Sequence, residues 1–325
     1  MILVTGATGF LGKTIVTELC RKGYRVRILA RPGSDIAFFQ GMAGVEISGG
    51  DILDPASLER AVQGCSSVVH AAALFRFWGD EAAFYELNVL GSRNVLQAAL
   101  TQGAKKVILI STIAVAGEMK PGAIITEETA PNPVDPYQAS KLQAEQVALH
   151  YYQTFGLEVN ILRLGALYGP YGRYAFNRLF FEEFLRGWRI QVAGGRHVTF
   201  PCFVRDAAQG IEAAIRRGVG GEIYNIAGES ISHQNLNCLV SRLAGKPAWR
   251  INMPKWAMIS TAGFMEYLAL LTKREPFYPL NLKSYVFQDW MVDTNKAQSC
   301  LGFCPTPIEE GVRETLDWYR EIGIG

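Results

Sequence analysis

The stretch TGATGFLG, residues 5–12, places glycines at Gly6, Gly9 and Gly12 directly after the aliphatic run MILV. A buried strand that ends in a glycine turn and leads into a helix directs backbone N–H groups and the positive helix end to one point. Gly6 permits the tight turn, Gly9 lets a phosphate approach the backbone, and Gly12 lets helix and strand pack closely. The stretch therefore predicts a dinucleotide-binding loop. Because its spacing differs from the commoner G-x-G-x-x-G, an ordinary glycine turn is the alternative.

Short aliphatic runs alternate with helical stretches over the first half of the chain. The candidate strands are MILVT, YRVRILA, VEIS, SSVVHAAA, KKVILIST and LEVNILRLG, and VGGEIYNIAG follows later. Such alternation is typical of a parallel sheet with crossover helices. We predict an α/β fold with a Rossmann-type doubly wound parallel sheet. Residues 1–169 would form the cofactor domain, and residues 170–325 mainly a smaller C-terminal substrate lobe with segments returning to the sheet.

The composition excludes several classes of partner. Thirty-two Lys and Arg residues against thirty Asp and Glu give a net charge of +2, which argues against a nucleic-acid partner. Of six cysteines only Cys300 and Cys304 lie close together, so no metal site is expected. The first residues enter the predicted strand at once, which predicts a cytoplasmic protein without a secretory leader. The oligomeric state stays open, a homodimer being one alternative.

The end of the second predicted strand indicates which dinucleotide is bound. The segment VRILARPGS carries Ala30 and Arg31 where an acidic residue would bind the ribose hydroxyls of NAD. A guanidinium can instead bind a ribose 2′-phosphate, so NADP(H) is favoured over NAD(H). Two alternatives remain: Arg31 is a solvated loop residue, or Arg27 takes its role.

Two further strand ends offer cofactor contacts. Asp51 and Ile52 follow the third predicted strand, where the adenine would lie. The segment HAAA, residues 70–73, offers small side chains beside the cofactor. We expect His70 itself to be a packing residue at the strand end and not a catalytic group.

The segment YQASK places Tyr137 and Lys141 near one face of a helix that begins near Asp135 or Pro136. A free phenol has a pKa of about 10, and a neighbouring ammonium and an oxidised nicotinamide ring would lower it. Tyr137 could then donate or accept a proton. Ser111 or Thr112, at the end of the fifth predicted strand, could hold a substrate oxygen beside it.

These motifs resemble, in order, the landmarks of the extended short-chain dehydrogenase/reductase family. They are TGATGFLG, GDILDPASL, HAAA, NVLGSRNVL, YQASK, LRLGALYGP and YNIAGE, and they cover nearly the whole chain. The resemblance implies that Tyr137 is the catalytic acid/base and that Lys141 binds the nicotinamide ribose and tunes Tyr137. It also implies that Thr112 is the hydroxyl partner, because the family's Ser or Thr stands five residues before the glycine that Gly117 matches. Asn88 would support the helix or a proton relay, with simple helix packing as the alternative.

The loop, the strand ends and the resemblance together define the expected cofactor contacts. These are Gly6, Thr8, Gly9, Phe10, Leu11, Gly12, Arg31, Asp51, Ile52, Ala71, Ala72, Ala73, Asn88, Tyr137, Lys141, Leu164, Gly165 and Ala166.

Within the family, STIAVAG and RPGSD resemble the 3-beta-hydroxysteroid dehydrogenase, dihydroflavonol reductase and hopanoid-associated branch. That resemblance implies a ketone or secondary alcohol on a largely apolar substrate, such as a steroid-, terpenoid- or flavonoid-like molecule. Dehydration is disfavoured because Ile113 and Ala114 stand where dehydratases carry an acid pair. A sugar-nucleotide epimerase and a non-catalytic NADP-binding sensor or scaffold are the alternatives.

The hydrophobic segment 254–279 has three interpretations: a lid over the substrate, a membrane-interface helix, or an ordinary core helix. As a lid, it would enclose the substrate with Trp256, Phe264, Tyr267 and Leu271. As a peripheral membrane contact, it would hold the cytoplasmic protein at a bilayer. Against an apolar substrate stand arginines that could clamp a nucleotide diphosphate. These are Arg173, Arg178, Arg186, Arg189, Arg196 and Arg205.

Overall fold

The computed structural model describes residues 1–248 and 250–325, and its centre is a seven-stranded parallel sheet. The strands are β1 (Ile2–Thr5), β2 (Val26–Ala30), β3 (Val45–Gly49), β4 (Ser67–His70), β5 (Lys106–Thr112), β6 (Ile124–Ile125), β7 (Glu158–Leu164), β8 (Ala166–Tyr168), β9 (Ile190–Val192), β10 (Val198–Thr199), β11 (Pro201–Phe203), β12 (Ile223–Ile226), β13 (Ile231–Ser232), β14 (Ile251–Met253) and β15 (Met291–Val292). The sheet order β12-β7-β5-β4-β1-β2-β3 is a Rossmann order with one added edge strand, as predicted.

The described residues form thirteen α-helices, several of which cover the two faces of this sheet. They are α1 (Phe10–Arg21), α2 (Pro55–Val62), α3 (Glu81–Phe84), α4 (Gly91–Thr101), α5 (Pro136–Phe155), α6 (Ala175–Asn177), α7 (Glu183–Leu185), α8 (Val204–Arg217), α9 (His233–Ala244), α10 (Lys255–Thr272), α11 (Lys283–Val286), α12 (Asn295–Leu301) and α13 (Ile308–Glu321). One buried apolar cluster joins the sheet to α1, α8 and α13, and another joins it to α2, α4 and α5. The strands are apolar on both faces because each face is covered.

Local sequence signals place the helix starts. Asp54 caps α2 by accepting a hydrogen bond from the N–H of Ala56, and Pro55 is the first residue of that helix. Asp135 caps α5 in the same way through the N–H of Gln138 at 2.8 Å. Between α3 and α4 the chain continues through a π-helical turn, Tyr85–Leu90, which the sequence did not predict.

The second half of the chain contributes to both layers of the molecule. β12 pairs in parallel with β7 and forms the sheet edge, and α8 packs on α1. The remaining elements after residue 169 gather at the carboxyl ends of the strands, which we call the C-terminal lobe. A domain boundary at residue 169 stays a prediction.

Candidate active site

The glycine loop between β1 and α1 requires two of its glycines for steric reasons. Gly6 has φ of 72°, and a Cβ there would lie 2.6 Å from the backbone nitrogen of Ala72. A Cβ on Gly12 would lie 2.1 Å from the carbonyl oxygen of Gly6. At Gly9 a Cβ would lie 3.3 Å from the carbonyl oxygen of Gly6, a tight contact but a milder one. The geometry agrees with the turn and packing roles expected of Gly6 and Gly12, and phosphate approach at Gly9 stays a prediction.

The start of α1 fits a dinucleotide pyrophosphate. Gly9 precedes the helix, and within the described residues no side chain caps the first turn. The first N–H groups of a helix have no intrahelical acceptor, so those of α1 are available to an anion. Phe10 and Leu11 also line the large cavity described below.

The two candidate arginines of β2 differ in their surroundings. Arg31 directly follows the carboxyl end of β2 and is exposed, and in residues 1–248 and 250–325 no hydrogen bond or ion pair engages its guanidinium. Arg27 binds Glu46 at 2.8 Å and the carbonyl oxygens of Ala61 and Gln63. The alternative in which Arg27 replaces Arg31 is therefore unsupported, because its guanidinium is fixed at the end of α2.

The remaining strand-end residues divide into two groups. Asp51 accepts a hydrogen bond from the N–H of Leu53, and Ile52 packs against Gly91, so both lie beyond β3 and outside the large cavity. Ala72 donates its N–H to the Thr5 hydroxyl, packs on the core and does not line the cavity, and its cofactor contact stays a prediction. The cavity is lined by the other expected contacts near the sheet edge. These are Ala71, Ala73, Leu164, Gly165 and Ala166.

Tyr137 is half-buried in the first turn of α5 and shares a side-chain hydrogen bond with Thr112. Burial raises the pKa of Tyr137 above its usual range, Asp135 raises it further, and only the bond with Thr112 lowers it. The sequence-based expectation of a lowered pKa is thus not met by the protein groups, because desolvation of the phenolate outweighs them. Tyr137 is a protonated phenol at neutral pH in this structure.

Lys141 is buried one turn further along α5, and its Nζ donates a hydrogen bond to the carbonyl oxygen of Ile110 at 2.6 Å. Burial lowers the pKa of Lys141 to about 8, although Glu145 acts to raise it. Tyr137, Thr112 and Lys141 all line the same cavity. The structure therefore brings the three expected catalytic residues together.

The adjacent hydroxyls of Ser111 and Thr112, at the end of β5, have different hydrogen-bond partners. Ser111 donates a hydrogen bond to Glu145 at 2.5 Å, and Glu145 also forms a buried ion pair with Arg163 at 2.7 Å. The Thr112 hydroxyl accepts a hydrogen bond from the N–H of Ala114 and meets Tyr137. Because adjacent strand residues point to opposite sides, only one of the two hydroxyls can meet Tyr137.

Asn88 does not line the cavity, and its cofactor contact stays a prediction. Its amide bonds the N–H and the carbonyl of Leu74 at 2.7 and 3.0 Å and the hydroxyl of Ser140 at 2.9 Å. Asn88 thereby fixes the loop after β4 to α5. His70 is a buried packing residue, as expected: it bonds the hydroxyls of Thr5 and Ser92, and burial lowers its pKa to about 3.

A cavity of about 550 Å³ opens beside Tyr137 and extends into the C-terminal lobe. Its wall beyond the catalytic residues is mainly aromatic and aliphatic. The apolar lining residues include Phe75, Phe77, Tyr174, Phe176, Leu179, Phe180, Val192, Met258, Leu282, Tyr285 and Val286. The ring of Phe75 lies 4.8 Å from that of Tyr137 and 5.6 Å from that of Tyr174. The cavity is therefore a continuous apolar chamber next to the acid/base group.

The hydrophobic segment contributes less to this chamber than expected. Only Met258, Ala262 and Ala269 of α10 are buried, so the interpretation as an ordinary core helix is wrong. The predicted enclosing residues instead face outward. Their exposed fractions are 72% for Trp256, 62% for Phe264, 61% for Tyr267 and 68% for Leu271. Of this part of the chain, Met258 and residues that follow the helix line the chamber: Tyr278, Leu282, Tyr285 and Val286.

Most of the candidate diphosphate-binding arginines are paired with acids. Arg173 and Arg186 bind Glu182 at 2.7 and 3.0 Å, and Arg178 lies 3.4 Å from Glu183. A fourth, Arg205, pairs with Glu314.

Six polar residues that the sequence analysis did not identify also line the chamber: Arg76, Glu183, Gln191, Thr199, His233 and Asn237. His233 and Asn237 on α9 are buried, and Glu183 on α7 accepts a hydrogen bond from the hydroxyl of Tyr278. Burial raises the pKa of Glu183 to about 7. No local motif marks these residues, because α9 and α7 reach the chamber only through packing of the lobe.

The model of the NAD dependent epimerase/dehydratase family matches residues 2–227. The chain belongs to this family. Individual relatives also match this chain along nearly its full length. A Synechocystis sp. protein named as a dihydroflavonol 4-reductase is 30% identical, with 98% of this chain and 94% of that protein covered. Sterol demethylase protein B of Methylococcus capsulatus is 28% identical, with 99% of each chain covered.

A solved structure of the same family has the same architecture. The dTDP-glucose 4,6-dehydratase DesIV of Streptomyces venezuelae, crystallised with NAD, is 26% identical, with 99% of this chain and 97% of that chain covered and a TM-score of 0.81. The chain is thus an NAD(P)-dependent oxidoreductase of the extended short-chain dehydrogenase/reductase type.

Proposed function

We propose that the protein interconverts a ketone and a secondary alcohol on a largely apolar substrate, with NADP(H) as cofactor and Tyr137 as the acid/base. The observation that carries this proposal is the apolar chamber beside Tyr137. A pocket of this size and lining suits a rigid hydrocarbon framework, because each Å² of buried apolar ligand surface contributes about 25 cal/mol. The larger part of the lining is apolar, so an apolar skeleton would gain more from burial there than a polyhydroxylated sugar, whose hydroxyls would lose their hydration.

The residues around Tyr137 support reduction of a carbonyl. Tyr137 holds its proton at neutral pH and would give it to the carbonyl oxygen, while Thr112 would orient that oxygen. The bound dinucleotide supplies or accepts the hydride. Lys141 would hold the nicotinamide ribose and stabilise the phenolate left after proton transfer. Ile113 and Ala114 are buried and apolar, so no acid follows Thr112 to promote dehydration.

The test is to mix the purified protein with NADPH or NADH and with panels of apolar ketones and of sugar nucleotides. Absorbance of the reduced cofactor and product stereochemistry are followed together. We expect cofactor consumption with apolar ketones, and a loss of roughly 10²- to 10⁴-fold in rate for Tyr137→Phe with cofactor binding retained. Inversion of a sugar nucleotide without net cofactor consumption would replace this proposal with an epimerase. Cofactor binding without turnover of either panel would favour the sensor or scaffold.

The preference for NADP(H) rests on Arg31, which is exposed directly after β2, at the strand end where the resemblance puts the ribose 2′ position. Replacing Arg31 by Ala should weaken NADPH binding by roughly 1–3 kcal/mol and leave NADH binding nearly unchanged. Arg25→Ala is the matched control, because Arg25 is an exposed arginine at the opposite end of the same strand. A wild-type preference for NADH, or an equal loss for both cofactors, would rule the idea out.

A peripheral membrane contact through residues 254–279 is the second part of the proposal. No helix in the described residues is long and apolar enough to cross a membrane. However, α10 exposes Trp256, Phe264 and Leu271, and cationic residues flank it at Lys255 and Lys273. An apolar helix face with basic ends suits the interface of an anionic bilayer.

Flotation with lipid vesicles tests this contact. We expect the wild type to float with vesicles containing phosphatidylserine, and the double variant Phe264→Ser, Leu271→Ser to stay with the soluble fraction. Phe155→Ser is the control, since Phe155 is exposed at the end of α5. Equal flotation of wild type and double variant would exclude α10 as the contact.

A further inference from the structure

The apolar chamber has a polar wall on α9. His233 and Asn237 lie four residues apart, so their side chains emerge from one face of the helix, and both line the chamber. Their exposed fractions are only 7% and 8%. Buried polar groups normally have hydrogen-bond partners, so their pairing is informative.

Within residues 1–248 and 250–325, each of the two side chains keeps a donor or acceptor that no protein group uses. Asn237 donates one N–H to the side-chain oxygen of Gln191 at 3.3 Å, and its own side-chain oxygen receives no hydrogen bond from the described residues. The ring of His233 packs edge-on against Phe180 at 5.3 Å, and neither ring nitrogen has a hydrogen bond within residues 1–248 and 250–325. Burial lowers the pKa of His233 to about 4, so the ring is neutral and offers one donor and one acceptor.

These groups lie apart from the acid/base residues. Tyr137 and Thr112 sit at the carboxyl edge of the central sheet, whereas α9 belongs to the C-terminal lobe. All four side chains line the same chamber, so one ligand that contacts both sets would present a polar group to each of them.

We propose that His233 and Asn237 form a polar anchor for a hydroxyl group that the substrate carries at a distance from its reacting carbonyl. A hydroxyl both donates and accepts, which matches a neutral imidazole beside a carboxamide. This inference rests on the proposed function for the identity of the reacting end. The anchor would restrict the substrates from apolar ketones in general to apolar ketones that also carry a hydroxyl group.

Binding of three probes tests the anchor without requiring turnover. Dihydrotestosterone has a ketone at one end of a rigid apolar skeleton and a hydroxyl at the other, its methyl ether keeps only an acceptor, and androstanone lacks the second oxygen. Dissociation constants are measured by calorimetry for the full chain, and kcat and KM for the ketones are measured separately. We expect the wild type to bind dihydrotestosterone most tightly of the three.

Asn237→Leu should weaken binding of dihydrotestosterone by roughly 5- to 30-fold, because the hydroxyl loses a buried partner, and should leave androstanone binding unchanged. The loss should appear in KM and not in kcat. Asn235→Leu is the matched control, since Asn235 is exposed on the same helix. His233→Leu gives the same test through the other side chain if Asn237→Leu does not fold.

The outcomes separate the anchor from the proposed reaction. Turnover of all three ketones with no dependence on the hydroxyl would overturn the anchor and keep the reductase. Hydroxyl-dependent binding that Asn237→Leu removes, without turnover, would keep the anchor and overturn the reductase. Failure of all three probes to bind the wild type would overturn both.

Discussion

At the scale of single residues, the chemistry depends on which of two adjacent hydroxyls meets the phenol. Ser111 is committed to Glu145, which also pairs with Arg163 in the protein interior. Thr112 shares a hydrogen bond with Tyr137 and lines the chamber. We therefore expect Ser111 to stabilise the fold and Thr112 to act at the reacting atoms.

Alanine substitutions should separate these two tasks. Thr112→Ala should lower kcat by roughly 10- to 1,000-fold with little effect on stability, because it removes an oriented hydrogen bond at the reacting oxygen. Ser111→Ala should lower the free energy of unfolding by about 1–3 kcal/mol, because it leaves a buried carboxylate oxygen with one donor fewer. Steady-state kinetics and urea unfolding on both variants provide the measurement. A larger fall in kcat for Ser111→Ala would assign the catalytic hydroxyl to Ser111.

At the scale of elements, α1 and α5 carry the cofactor loop and the acid/base pair to the same sheet edge. α1 can approach β1 only because Gly12 lacks a side chain, since a Cβ there would lie 2.1 Å from the Gly6 oxygen. α5 begins at Pro136 under the Asp135 cap, which puts Tyr137 in its first turn. Both placements follow from short-range sequence signals.

Two glycine substitutions in helices should therefore have opposite effects. Gly12→Ala should destabilise the fold and weaken dinucleotide binding, because α1 must move away from the loop. Gly263→Ala, within α10, should raise the free energy of unfolding by up to about 1 kcal/mol, because no atom lies within 4 Å of the new Cβ and alanine favours the helix. Urea unfolding measures both. A neutral Gly12→Ala variant would contradict the close packing of α1 on the loop.

At the scale of the whole molecule, the stability of the fold depends on pH through Lys141, whose ammonium is buried in the active site and exposed in the unfolded chain. Burial lowers the pKa of Lys141 to about 8, whereas an unfolded lysine titrates near 10.4. Between these values the unfolded chain binds a proton that the folded chain has released. Stability due to this group should therefore rise as the pH increases through that interval.

Lys141→Met should remove this pH dependence. The stability gain of the wild type between pH 7 and pH 10 should exceed that of Lys141→Met by roughly 1–3 kcal/mol, measured by urea unfolding. Lys105→Met removes an exposed lysine and should behave like the wild type. If Lys141→Met and the wild type respond equally to pH, Lys141 keeps its proton in the folded state.

The sequence by itself determined the sheet, the glycine loop and the Tyr137–Lys141 pair. Each depends on residues close together in the chain: strands covered on both faces read as continuous apolar runs, and helix caps act within one turn. The family resemblance selected Thr112, and the structure gives it a hydrogen bond with Tyr137; its catalytic role stays a prediction. The NADP(H) preference and the substrate class stay predictions.

Only the tertiary structure decided which faces of these elements meet. The apolar composition of α10 suggested a wall for the substrate, yet Trp256 and Phe264 face outward while Met258 lines the chamber. His233 and Asn237 carry no motif and reach the chamber only because α9 packs there. Local periodicity fixes a residue's place on its own helix or strand. The partner of that face depends on packing between segments distant in the chain, which a local pattern does not encode.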